Sequence, residues 1–355
     1  MIQPAMENKK LYKNIISIGI LSFLFISSAV LFNYYKTYYS ENTNFTDESV
    51  FIYIKSGTGL NHLQKQITPF LKDSSTFFNA AYKTKYVLNI KAGKYEIKKG
   101  FSNKQIINSL RFKNIPVKVT FNNMERIENL ASRVSKFIED DSLSLMNSFY
   151  EKTFLENNDL NTESVFSIFL PNTYEFYWNT NADEFRDKML DQFNLFWNLS
   201  RKEKAKSLNL TPIQVSVLAS IVQRETPKVD ERPTISGVYY NRLKKRMKLQ
   251  ADPTVVYTIK QKKGFDKKIR RVLYRDLKIK SPYNTYLHKG LPPGPIYMPD
   301  ISSIESVLNL QEHNYLFFVA DVKRPGYHMF ANTLSQHNRN KRQYISWLRK
   351  NKIKR

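Results

Sequence analysis

The longest uninterrupted apolar stretch lies near the N-terminus of the chain. No residue from Asn14 to Tyr35 is charged, and Ile15–Phe32 consists mainly of Ile, Leu, Phe, Val, Ala and Ser. At the helical rise this stretch spans roughly 33 Å, enough to cross a hydrocarbon core of ~30 Å. The pattern predicts a transmembrane helix over 14–35, preceded by a cytoplasmic tail over 1–13.

The charges beside this stretch predict its orientation. Basic residues precede it and acidic residues follow soon after it: Lys9, Lys10 and Lys13, then Glu41, Asp47 and Glu48. Lysines on the near side favour an N-terminus in the cytoplasm. The alternative is a signal peptide cleaved near Ser28-Ala29, but the stretch exceeds an h-region of ~7–15 residues and lacks an A-x-A site. We therefore expect a single-pass protein of the bacterial cytoplasmic (inner) membrane whose large domain lies on the extracytoplasmic, periplasmic side.

Alternating and helical patterns then predict a small α+β module. A polar linker over 36–49 leads to a strand over 50–54, and apolar positions with helical spacing follow up to Pro69. A second short helix over 75–82 and a strand over 93–97 complete the order strand, helix, helix, strand. Ser102 is a typical N-cap for one more helix. We assign 50–115 to this module.

The remainder, 116–340, predicts a larger mixed α+β domain followed by a basic tail over 341–355. A strand over 117–121 precedes helical patterns over 124–208, where Phe185, Met189, Phe193 and Trp197 form a stripe typical of a core. An apolar helix over 211–222 is punctuated by Thr211, Pro212 and Pro227. Next comes a helix that ends at about Lys245, followed by Pro- and Asn-rich loops. The order is completed by paired strands over 315–320 and 327–331 and by a basic C-terminal helix. The fold class is α+β.

Composition narrows the function classes. With 41% hydrophobic and 14% aromatic residues the chain is not disordered. Its net charge of +25 predicts attraction to a polyanion, which could be nucleic acid, anionic lipid or an acidic polymer. The alternative is that the basic residues only make the surface soluble. An extracytoplasmic domain argues against nucleic acid as the partner. Evidence that the C-terminus lies in the cytoplasm would restore nucleic acid as a candidate. Since cysteine is absent, disulfides and thiolate metal sites are excluded.

The candidate chemistry is that of a carboxylate. The five histidines are scattered, and neither a Gly-x-Ser-x-Gly elbow nor a phosphate-binding glycine loop is found, so we expect no metal and no cofactor. Glu225 follows the apolar run Val215–Val222, where poor solvation and the helix dipole both raise a carboxyl pKa. Such a group can donate a proton near neutral pH, although a solvent-exposed Glu at a helix end is the alternative.

Several motifs, in order, resemble those of the YceG-like endolytic murein transglycosylases. The matching segments are Leu218–Thr226 (LASIVQRET), Asn241–Leu243 (NRL), Leu249–Tyr257 (LQADPTVVY), Ser281–Tyr286 (SPYNTY), Gly290–Ile296 (GLPPGPI), Phe318–Ala320 (FVA), His328–Phe330 (HMF) and His337-Asn338. Two segments depart from the family pattern: Asn122–Arg126 lacks the usual Glu-Gly pair, and Asp321–Gly326 is longer and more basic.

The resemblance implies a membrane-anchored enzyme with a LysM-like module at 50–115 and a catalytic domain at 116–340. Such enzymes cleave the β-1,4 bond between MurNAc and GlcNAc within nascent glycan strands, leave 1,6-anhydro-MurNAc ends and terminate elongation. The catalytic Glu maps to Glu225, and Gln223 stands where an earlier acid is often found. Polar residues of the motifs are substrate-binding candidates: Asn241, Gln250, Asp252, Tyr257, Tyr283, Asn284 and Tyr286. The implied partners are peptidoglycan strands, the cytoplasmic membrane and peptidoglycan synthases, with no nucleic acid.

The main alternative is a protein without enzymatic activity. A membrane-anchored scaffold could hold peptidoglycan through the LysM-like module and bring wall synthases to it. Glu225 distinguishes the two hypotheses, because only the enzyme needs its carboxyl group.

Overall fold

The computed structural model describes residues 4–351, so the first three residues of the predicted N-terminal tail and residues 352–355 of the predicted C-terminal tail lie outside the described residues. The chain divides into two compact units. The first runs through Val117 and includes Glu175–Asn179; the second contains Lys118–Tyr174 and the residues from Thr180 onward.

Helix α1 (Pro4–Tyr38) opens the first unit. Its segment Leu11–Tyr38 is long and apolar enough to cross a membrane, and none of its apolar window is buried within the protein. So large an exposed apolar surface is unusual for a soluble protein. The helix contains the predicted span over 14–35 and extends beyond it at both ends, although a signal sequence would show the same length and composition.

The rest of the first unit is an α+β module with its own core. Its elements are β1 (Ser49–Ile54), α2 (Leu60–Ile67), α3 (Ser74–Lys83), β2 (Gly93–Lys98) and α4 (Asn103–Phe112). Strands β1 and β2 are antiparallel, with Ser49 opposite Lys98. The order strand, helix, helix, strand is confirmed, and Ser102 caps α4 in a capping box with Gln105. Inward-facing apolar residues of every element form one buried cluster.

The second unit is mainly helical. Strands β3 (Pro116–Phe121) and β4 (Asn172–Tyr177) each have residues in both units. The remaining elements belong to the second unit: α5 (Ile127–Val134), α6 (Ser142–Phe149), α7 (Lys152–Asn157), α8 (Ala182–Phe196), α9 (Leu199–Ser207), α10 (Pro212–Glu225), α11 (Arg232–Lys244), α12 (Asp252–Lys263), α13 (Ile301–Leu308), β5 (Phe317–Ala320), β6 (His328–Ala331) and α14 (Leu334–Lys350). Strand β3 pairs with β4, and β5 is antiparallel to β6. The mixed α+β class is confirmed.

Two elements correct the sequence prediction. Strand β4 interrupts the region predicted to be helical throughout, because Tyr174 and Phe176 alternate with exposed neighbours at the strand period. Helix α12 replaces part of the predicted loops: Pro253 stands in its first turn, where its missing N–H costs nothing. As a result, Asp252 is the first residue of a helix.

Helix α10 is the centre of the second unit and packs against α9, α11, α12 and α13. Every residue of the run Val215–Val222 is buried. Thr211 and Gln214 form a capping box at the N-terminus, and Thr226 leaves the helical conformation before Pro227. The predicted start of this helix is thus confirmed, and its end lies at Glu225, three residues beyond the predicted Val222. The α8 stripe is also buried, which confirms its interpretation as core.

The loop Gly290–Ile296 is fixed against α10 by close packing. A Cβ atom on Gly294 would lie 1.9 Å from the carbonyl oxygen of Glu163, so only glycine fits there. Beyond it, the backbone N–H of Ile296 donates to the buried Ser220 Oγ at 3.1 Å. Glycine at position 294 therefore lets the loop approach the backbone at Glu163, and the Ile296 hydrogen bond joins the loop to α10.

Candidate active site

Glu225 is the last residue of α10, and its side chain faces a cavity of about 440 Å³. The hydroxyl of Tyr239, on α11, donates a hydrogen bond to Glu225 Oε1 at 2.5 Å. The Tyr239 ring is buried and packs edge-on against Phe318 of β5. Two consecutive helices and a strand distant in sequence thus fix the position of one carboxyl group.

Burial is the main influence on this carboxyl group. Burial raises the pKa of Glu225, and so does the nearby charge of Asp252, whereas the hydrogen bond from Tyr239 and the charges of His328 and Arg242 lower it. The net result is a pKa of about 7. With a pKa near neutrality, both protonation states are populated, so the group can donate one proton and then accept another.

Three of the predicted binding residues line the same cavity as Glu225: Gln250, Asp252 and Tyr286. The Tyr286 hydroxyl donates to Asp252 Oδ1 at 2.6 Å. Gln250 accepts a 3.3 Å hydrogen bond from Arg242, whose guanidinium also donates to the carbonyl of Leu249 at 2.8 Å. These contacts give the cavity a wall of oriented polar groups.

Tyr257 and Tyr283 line two further cavities. Glu225, Asp252 and Tyr257 border one of about 260 Å³, while Tyr257 and Tyr283 border another of about 280 Å³. The two rings lie 4.8 Å apart, and burial raises the pKa of Tyr257 to about 12, so its phenol stays neutral. Because neighbouring cavities share lining residues, the second unit offers an elongated series of depressions with Glu225 between the first two.

Asn241 and Asn284 do not line these cavities. The Asn241 amide donates to the carbonyls of His313 and Tyr315 at 2.7 and 3.1 Å. Asn284 is fully buried, and its amide donates to the carbonyls of Leu277 and Ile279 at 3.0 and 2.8 Å. The structure gives both amides the role of joining loops.

The sequence reasoning missed three side chains at the cavity: Tyr239, Arg242 and His328. The imidazole Nδ1 of His328 lies 2.9 Å from the buried carboxylate of Glu231, which also accepts the His328 backbone N–H at 2.7 Å. Arg242 stands inside the quoted Asn-Arg-Leu motif, which was the available signal. Nothing local in the sequence pairs Glu231 with a residue 97 positions away. Within residues 4–351, no three His, Asp or Glu side chains converge as metal ligands.

Comparison with known proteins identifies the family of this chain. The model of the YceG-like family matches residues 52–343. An endolytic murein transglycosylase of Bacillus subtilis (strain 168) is 31% identical over 290 residues, which cover 77% of this chain and 78% of that protein. One from Streptococcus pneumoniae serotype 2 (strain D39 / NCTC 7466) is 36% identical over 177 residues, 50% of this chain; the match spans only 31% of that longer protein.

A crystal structure of a YceG-like protein from Listeria monocytogenes shares the fold. It superimposes with a TM-score of 0.54 at 24% identity, covering 83% of this chain and 99% of that one. The family match includes residues of both compact units and all the cavity residues named above. The chain belongs to the YceG-like family.

Proposed function

We propose that this protein is an endolytic peptidoglycan lytic transglycosylase. It cleaves MurNAc-β-1,4-GlcNAc bonds within nascent glycan strands, leaves 1,6-anhydro-MurNAc ends and so terminates strand elongation. The observation that carries the proposal is a half-buried carboxyl group, Glu225, with a pKa of about 7 between two adjoining cavities. Because Glu225 lines two adjoining cavities, a chain could extend in both directions from the reacting group, as a bond inside a polymer requires. The names of the curated relatives support the same substrate.

In the proposed mechanism Glu225 acts first as an acid and then as a base. The protonated carboxyl gives its proton to the glycosidic oxygen, and the bond from that oxygen to the muramyl C1 breaks. The resulting carboxylate removes the proton of the muramyl C6 hydroxyl, whose oxygen bonds to C1. The products are an anhydro ring and a free GlcNAc 4-hydroxyl, so water is not consumed. Gln250, Asp252, Tyr257, Tyr283 and Tyr286 are the proposed substrate-binding residues, whereas Asn241 and Asn284 position the loops that carry them.

Asp252 favours a second candidate reaction, hydrolysis. It borders both cavities beside Glu225, and glycosidases that add water use two carboxyl groups about the scissile bond. The two reactions differ in their products. Digestion of purified sacculi with the full chain in detergent, followed by mass spectrometry, is expected to yield anhydro ends 18 Da lighter than reducing ends. If only reducing ends were found, the reaction would be hydrolysis and not lytic transglycosylation.

The first unit has the strand, helix, helix, strand order that we assign to a LysM-like, glycan-holding module. A scaffold built on this module would bind sacculi without releasing any fragment. The scaffold would be favoured over the enzyme if the protein sedimented with sacculi and the sacculi stayed intact. In that case neither new anhydro ends nor new reducing ends would appear.

Helix α1 is proposed to anchor the protein in the cytoplasmic membrane with the rest on the periplasmic side, near peptidoglycan synthases. The lysines before the apolar segment and its length support this orientation. Alkaline phosphatase fused to the C-terminus is expected to be active, since that enzyme matures outside the cytoplasm; an inactive, stable fusion would reverse the orientation.

Tyr239→Phe is expected to move the alkaline limb of the pH profile upward. The phenol stabilises the Glu225 carboxylate, so its loss raises the pKa of Glu225 and keeps the acid protonated to higher pH. Profiles of kcat/KM should show wild-type activity falling above about pH 7 and the variant's limb displaced by roughly one unit. Tyr240→Phe, at the next position of α11, is the matched control and should not move the limb. A downward shift in Tyr239→Phe would contradict this assignment.

A further inference from the structure

The cavity of about 260 Å³ beside Glu225 is rich in arginine. Three guanidinium groups border it, from Arg224 at the end of α10 and from Arg270 and Arg271 in the loop after α12. All three residues are exposed to solvent. The proposed reaction uses none of them, because neither the proton transfers nor the ring closure requires a cation at this place.

The carboxylates of this cavity already have partners. Both oxygens of Glu125 accept hydrogen bonds from Lys260 Nζ, at 2.8 and 2.7 Å. Asp252 accepts the Tyr286 hydroxyl, and Glu225 accepts that of Tyr239.

The arginines, by contrast, form no ion pair. Within the described part of the chain, Arg270 and Arg271 make no hydrogen bond or ion pair, and Arg224 only lies over the Tyr297 ring, 4.8 Å from its centroid. Several free guanidinium groups in one concavity attract an anion, and their planar donors match a carboxylate with two parallel hydrogen bonds.

The position of this cavity restricts what the anion can be. Glu225 and Asp252 border both this cavity and the larger one, so an anion bound here lies in a cavity that the proposed acid also lines. The sugars of the backbone are uncharged, and the nearest carboxylates belong to the peptide stem carried by the muramyl residue. A diphosphate is present only at a strand end.

We propose that Arg270 and Arg271 form a subsite for a carboxylate of the peptide stem next to the scissile bond. This inference rests on the proposed function and deepens it. The arginines hold strands that carry free stem carboxylates, and they place the muramyl residue beside Glu225. Binding should weaken with salt, since both groups are partly exposed.

The test uses the full chain in detergent and labelled, uncross-linked glycan strands with intact stems. Binding is measured on the Glu225→Gln background, so that turnover does not interfere. Adding Arg270→Gln and Arg271→Gln together is expected to raise Kd about tenfold for strands with free carboxylates. For strands whose stem carboxylates are amidated, the same pair should change Kd less than twofold. Lys267→Gln with Lys268→Gln removes the same charge from the same loop outside the cavity, and should have little effect on either strand.

Three results would overturn the subsite. Equal weakening on free and amidated strands, or an equal effect of the lysine pair, would mean non-specific attraction. An effect confined to strands ending in a lipid diphosphate would assign the arginines to that group instead. Cleavage of sacculi by the otherwise wild-type enzyme is recorded in parallel, so a failure of the proposed function is seen separately from a failure of the subsite.

Discussion

Glu225→Gln is expected to reduce the release of anhydro-muropeptides by at least about 10³-fold. The substitution removes both the proton that the leaving oxygen needs and the base that the C6 hydroxyl needs, and each such role contributes about 10²–10⁴-fold. Glutamine keeps nearly the same shape, and its oxygen can still accept the Tyr239 hydrogen bond. The loss should therefore be in kcat, with KM nearly unchanged.

Two controls separate chemistry from folding. Glu305→Gln replaces a carboxylate of α13 that pairs with Arg201 and lies outside the cavities, and it should retain most of the activity. Strand binding by Glu225→Gln should match that of the wild type. Release at a tenth of the wild-type rate or faster would remove Glu225 from the proposed mechanism.

Arg232→Ala is expected to destabilise the second unit by about 3 kcal/mol. The Arg232 side chain is only 6% exposed, and its guanidinium donates to both oxygens of Asp300 at 3.0 Å. Asp300 caps α13, and its backbone N–H donates to Gln223 of α10 at 2.6 Å. The substitution would leave the Asp300 carboxylate without its arginine partner. This pair is part of the network that joins α10, α11 and α13, and α10 and α11 carry Glu225 and Tyr239.

Arg201→Ala is the matched control for this prediction. Arg201 pairs with Glu305 at 2.7 Å, but both side chains are about one third exposed, so the loss should be about 1 kcal/mol. Thermal unfolding of the full chain in detergent should show a Tm lowered by roughly 6–12 °C for Arg232→Ala and 2–4 °C for Arg201→Ala. Equal shifts would mean that burial does not strengthen the Arg232 pair.

Much of the scaffold around Glu225 could be predicted because its signals are local. The apolar run of α10, its Thr-Pro start and its proline end lie within one short segment, and β5 is a short run of Phe and Val, residues typical of a strand. Strand β4 was missed because its period-2 pattern is short and flanked by helical ones. Helix α12 was missed because Pro253 suggests a loop, although the first turn of a helix accepts proline.

The candidate site was less accessible to sequence reasoning because its members meet only through tertiary packing. An asparagine in a motif can bind a ligand or join two loops, and only the contacts of Asn241 and Asn284 distinguish the roles. Gln223 offered an equally ambiguous signal: the structure uses its side chain to hold the Asp300 backbone. Tyr239 and His328 carried no local sign that they would face the same cavity as Glu225.

The most direct test is a sacculus digestion in water labelled with oxygen-18, with wild-type and Glu225→Gln proteins side by side. If the Glu225 carboxyl group donates one proton and then accepts another, the wild-type protein will release anhydro-muramyl ends without the heavy isotope. The variant will release almost no ends. Heavy oxygen at C1 of the new ends, or equal release by the variant, would contradict the account.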